Sequence, residues 1–123
     1  MRINSHKDLN VFRNAIELAI QIHQLSKKFP PEEKYSLTDQ IRRSSRSVAT
    51  NIAEAYRKRR YPKSFVAKLS DSEGEAAETQ VWIYLLEIFG YLDSSVTEEL
   101  DAKYEHLLAQ LVTMIQSPEK WSM

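Results

Sequence analysis

The sequence predicts an all-α fold, an antiparallel up-down four-helix bundle, on the strength of three observations. Apolar residues recur at alternating spacings of three and four through four long stretches, the period of a helix face. The four prolines fall between or after those stretches, at 30, 31, 62 and 118. The chain of 123 residues holds two glycines and no cysteine, which leaves little for hairpins, Gly-rich loops, disulfides or thiolate zinc sites. This length fits one domain over 1–123, able to bury about two-thirds of its unfolded surface.

The first helix is expected at about 8–29, where Val11, Ala15, Leu18, Ile22, Leu25 and Phe29 form one stripe. Leu9, Phe12, Ile16 and Ile20 form a second row beside it, leaving Arg13, Glu17, Gln21, Gln24 and Lys28 for water. Two rows make an apolar face wider than one bundle core needs. Pro30 and Pro31 end the helix. The second helix is expected over 37–60, capped by the Ser36 hydroxyl, with Leu37, Ile41, Ser44, Ser45, Val48, Ile52, Ala55 and Tyr56 inward. Pro62 breaks it, and Ser64 is placed to cap a third helix over 65–92. In "SVTE", Ser95 and Glu98 have the capping-box spacing. The fourth helix then runs over 96–116 on Leu100, Tyr104, Leu107, Leu111 and Met114. Long helices with short connections pack antiparallel.

From Val81 to Leu92 the third helix is apolar on nearly every side, with Trp82, Leu86 and Phe89 directed away from Tyr84 and Ile88. Apolar patches of that size mark interfaces. A homo-oligomer is therefore expected, with Phe12, Ile16, Ile20, Trp82, Leu86 and Phe89 as interface candidates.

The net charge is zero, yet its distribution is uneven. Residues 40–70 hold nine cations against Glu54 alone, a net +8, whereas residues 71–119 hold eleven carboxylates against Lys103, a net −10. Such asymmetry fits either a nucleic-acid face or two halves that neutralise each other within a bundle or between subunits. On a helical wheel Arg42, Arg43, Arg46, Arg57 and Arg60 share an arc of about 100°. Guanidinium forks on one face can grip successive phosphates; the same five can equally form an ion-pair face. No aromatic interleaves with them on that arc, so base stacking is not expected. Gln40, Ser47, Asn51 and Glu54 occupy the adjoining arc, the pattern of a hydrogen-bonded seam between helices or of a small ligand pocket.

Nothing in the sequence calls for a catalyst. It has no phosphate loop, nucleophile elbow or dinucleotide fingerprint. His6, His23 and His106 lie in separate segments without the Glu-x-x-His pairs of bundle di-metal sites. Glu73, Gln80 and Glu87 form one row, read as a polar seam. No catalytic residue, cofactor or metal is expected. "MRINSHKDLN" lacks the apolar stretch of a signal peptide, and the most apolar run, 81–92, is interrupted by Glu87 and too short to span a bilayer. A cytoplasmic protein without a membrane partner is the expectation.

"DLNVFRNAIELA" (8–19), "FPPEEKYSLTDQIRRSSRSVATNIAEAY" (29–56) and "EAAETQVWI" before "FGYLD" resemble the bacterial 23S ribosomal RNA intervening-sequence proteins, the S23 family. Gln40, Arg43, Ser47, Asn51 and Glu54 fall on that family's polar positions. Two places depart: Ala55 stands where the family usually has Gly, and "SDSEGEAAE" alters its small Gly-Ser pair. The resemblance implies a bundle assembled as a ring-like homopentamer without enzymatic activity. It is also similar to the accessory proteins of diversity-generating retroelements, which join a basic bundle pentamer to a reverse transcriptase and nucleic acid. Membership in such a family does not by itself imply RNA binding. The expected function is a non-enzymatic oligomeric scaffold or adaptor, with RNA or another nucleic acid as the candidate partner through the basic face of the second helix; the alternative is a protein-interaction module whose arginines pair with acidic helices.

Overall fold

A computed structural model describes residues 3–121. Four α-helices, α1 (Asn10–Ser26), α2 (Leu37–Arg57), α3 (Pro62–Ile88) and α4 (Ser94–Gln116), account for most of it, with single 3-10 turns at His6–Asp8, Pro31–Glu33 and Pro118–Lys120. No strand occurs among the described residues. The helices run up and down in sequence order, so α1 and α3 start at the same end where α2 and α4 finish. Neighbours in sequence pack together, most closely α2 with α3, and α1 meets α4 along a sparser fourth edge.

The inward rows are those the helical period marks. Ala15, Ile22, Ile41, Val48, Ile52, Phe65, Leu69, Ile83, Leu100, Tyr104, Leu107 and Leu111 are buried in one core. On α2, Ser44 and Ser45 are as buried as the aliphatics around them. Their size lets α3 come close. The Ser72 hydroxyl donates to the Val48 carbonyl at 2.8 Å, and Ser44 and Thr79 hydroxyls meet at 2.8 Å. A side chain as short as serine reaches a neighbouring helix's backbone only where the two backbones nearly touch.

Helix boundaries differ from expectation, each for a local reason. The Ser36 hydroxyl donates to Glu33 Oε1 at 2.6 Å, and Glu33 Oε1 itself accepts the Leu37 amide at 3.4 Å. The cap is therefore a carboxylate on the preceding turn. Neither Ser64 nor Ser95 caps a helix: α3 begins at Pro62, whose fixed φ suits a first helical position, and α4 begins after Asp93. α1 stops at Ser26 and α2 at Arg57, before the prolines that follow them. α3 stops at Ile88 because Gly90 takes φ +77°, and the Tyr91 amide returns to the Leu86 carbonyl at 2.9 Å.

The wide apolar surfaces are real, but their membership needs correcting. Leu86 is 1% exposed and belongs to the core, so it cannot meet a second subunit. Its place on the wheel is beside Ile83, on the buried side of α3. Trp82 is half-buried against the core, its Nε1 donating to Glu78 at 3.1 Å. Phe12 is likewise half-buried, edge-on to the His6 ring. Ile16, Ile20 and Phe89 are exposed, joined by Val81, Tyr84 and Ile88.

Candidate nucleic-acid interface

The five arginines do not form one face. Arg43 turns to α3, where it bridges Glu75 at 3.0 Å and Glu78. Those two glutamates raise its already high pKa further, with the hydrogen bond to Glu78 foremost. Arg42 turns the other way and donates to Ser26 Oγ on α1 at 2.7 Å. Arg46 donates to His23 Nδ1 at 3.2 Å. A guanidinium has no acceptor, so His23 must be the neutral tautomer with its proton on Nε2. Removal from water, with Arg42, Lys27 and Arg46 nearby, holds His23 below its ordinary pKa. Arg57 ends α2 and Arg60 lies beyond it in the turn, off the helical arc altogether.

The polar row beside them is a seam between α2 and α3. Arg43 Nε donates to Gln40 at 3.4 Å. Asn51 donates to the Ser47 carbonyl at 2.9 Å and accepts from Lys68 at 3.4 Å. Lys68 also pairs with Glu54 at 2.7 Å, which lowers the Glu54 pKa. Arg43 and Lys68 thus supply the donors that Gln40, Asn51 and Glu54 accept, and Asn51 ties back to the Ser47 carbonyl.

A separate group of cations lies at the end of the bundle where α2 meets α3. The α2–α3 connection reads "RKRRYPK" (57–63). Among the described residues, exposed Arg57, Arg60 and Lys63 have no ion-pair partner. Arg59 instead stacks over the Tyr56 ring at 3.8 Å. Tyr61 stands in their midst, 61% exposed. Helix-wheel reasoning misses this aromatic because it looks along an arc and the residue sits in a turn. The signal was in the string itself, an aromatic flanked by cations just before a proline. Among the described residues no three metal-ligating side chains cluster, and no helix is long and apolar enough to cross a membrane.

The family pattern of the 23S rRNA-intervening sequence proteins matches residues 7–113, from the turn before α1 to near the end of α4. The chain belongs to that family. A protein of unknown function from the S23 ribosomal protein family of Bacteroides thetaiotaomicron VPI-5482, known from a 1.70 Å crystal structure, has a similar fold, with TM-score 0.78. It shares 29% identity over 86% of this chain and 95% of its own. No curated protein matches the sequence. For the 23S rRNA-intervening sequence proteins, the matched region therefore includes both the α2–α3 seam and the cationic turn.

Proposed function

We propose that this protein is a non-enzymatic, homo-oligomeric scaffold that holds a nucleic-acid backbone at the α2–α3 turn. The observation that carries the reading is the unpaired set Arg57, Arg60 and Lys63 around an exposed Tyr61. Three cations that no carboxylate among the described residues pairs with keep their charge available for phosphates, and an exposed ring offers a stacking platform for an unpaired base. Single-stranded RNA meets both features better than a duplex, whose bases are already stacked. Repetition around a ring, five-fold if the family resemblance holds, turns weak contacts into avidity wherever one strand spans neighbouring subunits. The protein-interaction reading is favoured at Arg43 alone, whose α3 partners make it part of the fold.

Filter binding of a single-stranded RNA oligomer to the intact protein tests this. Three phosphate contacts give a salt slope of about −2 per engaged subunit in log affinity against log salt. Arg57→Gln with Arg60→Gln and Lys63→Gln should abolish retention without changing the melting curve. Tyr61→Ala should weaken it by ~1–3 kcal/mol per stacked base. Absence of retention in low salt would sink the proposal.

A further inference from the structure

Two exposed apolar surfaces lie on opposite sides of the bundle and differ in the charge around them. On the α1–α2 side, Ile16 and Ile20 are 37% and 56% exposed. The antiparallel register set by the His23–Arg46 and Ser26–Arg42 contacts places them level with Ala53 and Ala49. This groove has a cationic rim: the charges acting on His23 beside it are Arg42, Lys27 and Arg46. On the α3–α4 side, Val81, Tyr84 and Ile88 are 55%, 64% and 55% exposed, one helical row facing outward. Tyr84 borders a cleft of about 290 Å³ that also includes Glu87, Glu98 and Asp101 and no cation. The row continues through Ala77 to Gly74, where an added Cβ would meet nothing within 4 Å. Glycine inside a helix lowers its stability, and no crowding within the protomer accounts for this one.

We propose that the Val81–Tyr84–Ile88 ridge of one copy docks, head to tail, into the Ile16–Ile20 groove along α1 and α2 of a second copy. This rests on the oligomeric reading above and names its surfaces. Pairing either surface with itself would bring cations to cations or carboxylates to carboxylates, which disfavours a two-fold dimer. Joining the unlike surfaces sets the acidic cleft against the arginine rim. It also lets the Gly74 end of the ridge approach the partner backbone closely. Because the two surfaces are on opposite sides of one molecule, each added copy leaves one surface of each kind free. Such contacts propagate until a rotation closes them into a ring.

Light scattering and analytical ultracentrifugation on the full chain test the pairing. Val81→Ser with Tyr84→Ser should give a monomer, as should Ile16→Ser with Ile20→Ser, and assembly should weaken by about 30-fold or more in each. Mixed together, the two variants should form a dimer and stop there, since each keeps one intact surface. Gly74→Ala adds a Cβ that meets nothing within 4 Å in the protomer, so the monomer fold should persist while assembly weakens. Glu98→Lys with Asp101→Lys should do the same. A wild-type monomer at tens of micromolar would overturn the oligomeric reading itself. A wild-type oligomer that persists in all these variants, or variants that do not pair on mixing, would overturn this interface alone.

Discussion

His23 shows how one side chain ties helix packing to pH. Its Nδ1 accepts from Arg46, and removal from water, followed by the cations around it, opposes a second proton. The unfolded chain, where the imidazole has its ordinary value near 6.5, takes up a proton first as pH falls. Stability should therefore decline as pH drops through 6.5, and His23→Gln should flatten that part of a denaturant-midpoint profile. Asp8, Glu33 and Glu54 act in a lower window. All three are held below their ordinary carboxylate values, Asp8 chiefly by the Asn4 amide, Glu33 by Ser36 and Glu54 by Lys68. Their contribution is present at neutral pH and disappears as acid protonates the folded state. The Tyr104 ring belongs to the core, but its hydroxyl opposes folding. Among the described residues that hydroxyl is buried without a hydrogen-bond partner, and burial pushes the phenol well above its ordinary value. An unpaired buried hydroxyl costs about 1–3 kcal/mol, so Tyr104→Phe should raise the denaturant midpoint.

At the scale of the element, α2 and α3 are short of bulk where they face each other, and this brings their backbones together. Ala49 is buried on the side of α2 that faces α1. Ala49→Leu should destabilise by ~1–3 kcal/mol in a melt, because a packed crossing has no room for added methylenes. Ala53 is only partly buried, so Ala53→Leu should cost less. Gly90 is the converse case: its φ of +77° is a conformation that a side chain resists, and Gly90→Ala should cost about 1 kcal/mol or more. Helix starts were the least legible features. Ser64 and Ser95 carry the right chemistry for capping, but α3 already starts at Pro62 and α4 at Ser94, where the N-cap Asp93 makes no side-chain cap. Ser36 has the right position, yet Glu33 does the capping, since its carboxylate is close enough to take both the Ser36 hydroxyl and the Leu37 amide.

For the molecule as a whole, the opposed charges of the two halves are spent in more than one way. Arg43 and Lys68 neutralise Glu75, Glu78 and Glu54 across the α2–α3 seam. Since Arg43 stays partly open to solvent, Arg43→Gln should cost only about 0.5–1 kcal/mol, and added salt should shrink the difference between the two proteins. A double-mutant cycle with Glu78→Gln would show whether the pair is coupled at that level. The charges that the seam does not take include those of the cationic turn, the arginine rim beside His23 and the acidic α3–α4 cleft. None of these is used up within the protomer's seam.

The sequence by itself determined four helices, the inward rows and the presence of a polar seam on α2, because a 3.6-residue period makes those relations local to each helix. It also marked two surfaces too apolar for one bundle. Only the tertiary structure decided which neighbour each arginine faces: Arg42, Arg43 and Arg46 are close in sequence yet are divided between α1 and α3. It likewise decided that Leu86 is core and Tyr84 surface. The physical reason is that a helical wheel gives angles relative to its own axis, while burial depends on the directions from which other helices approach. On a helix apolar all round, such as the second half of α3, no composition signal fixes that direction.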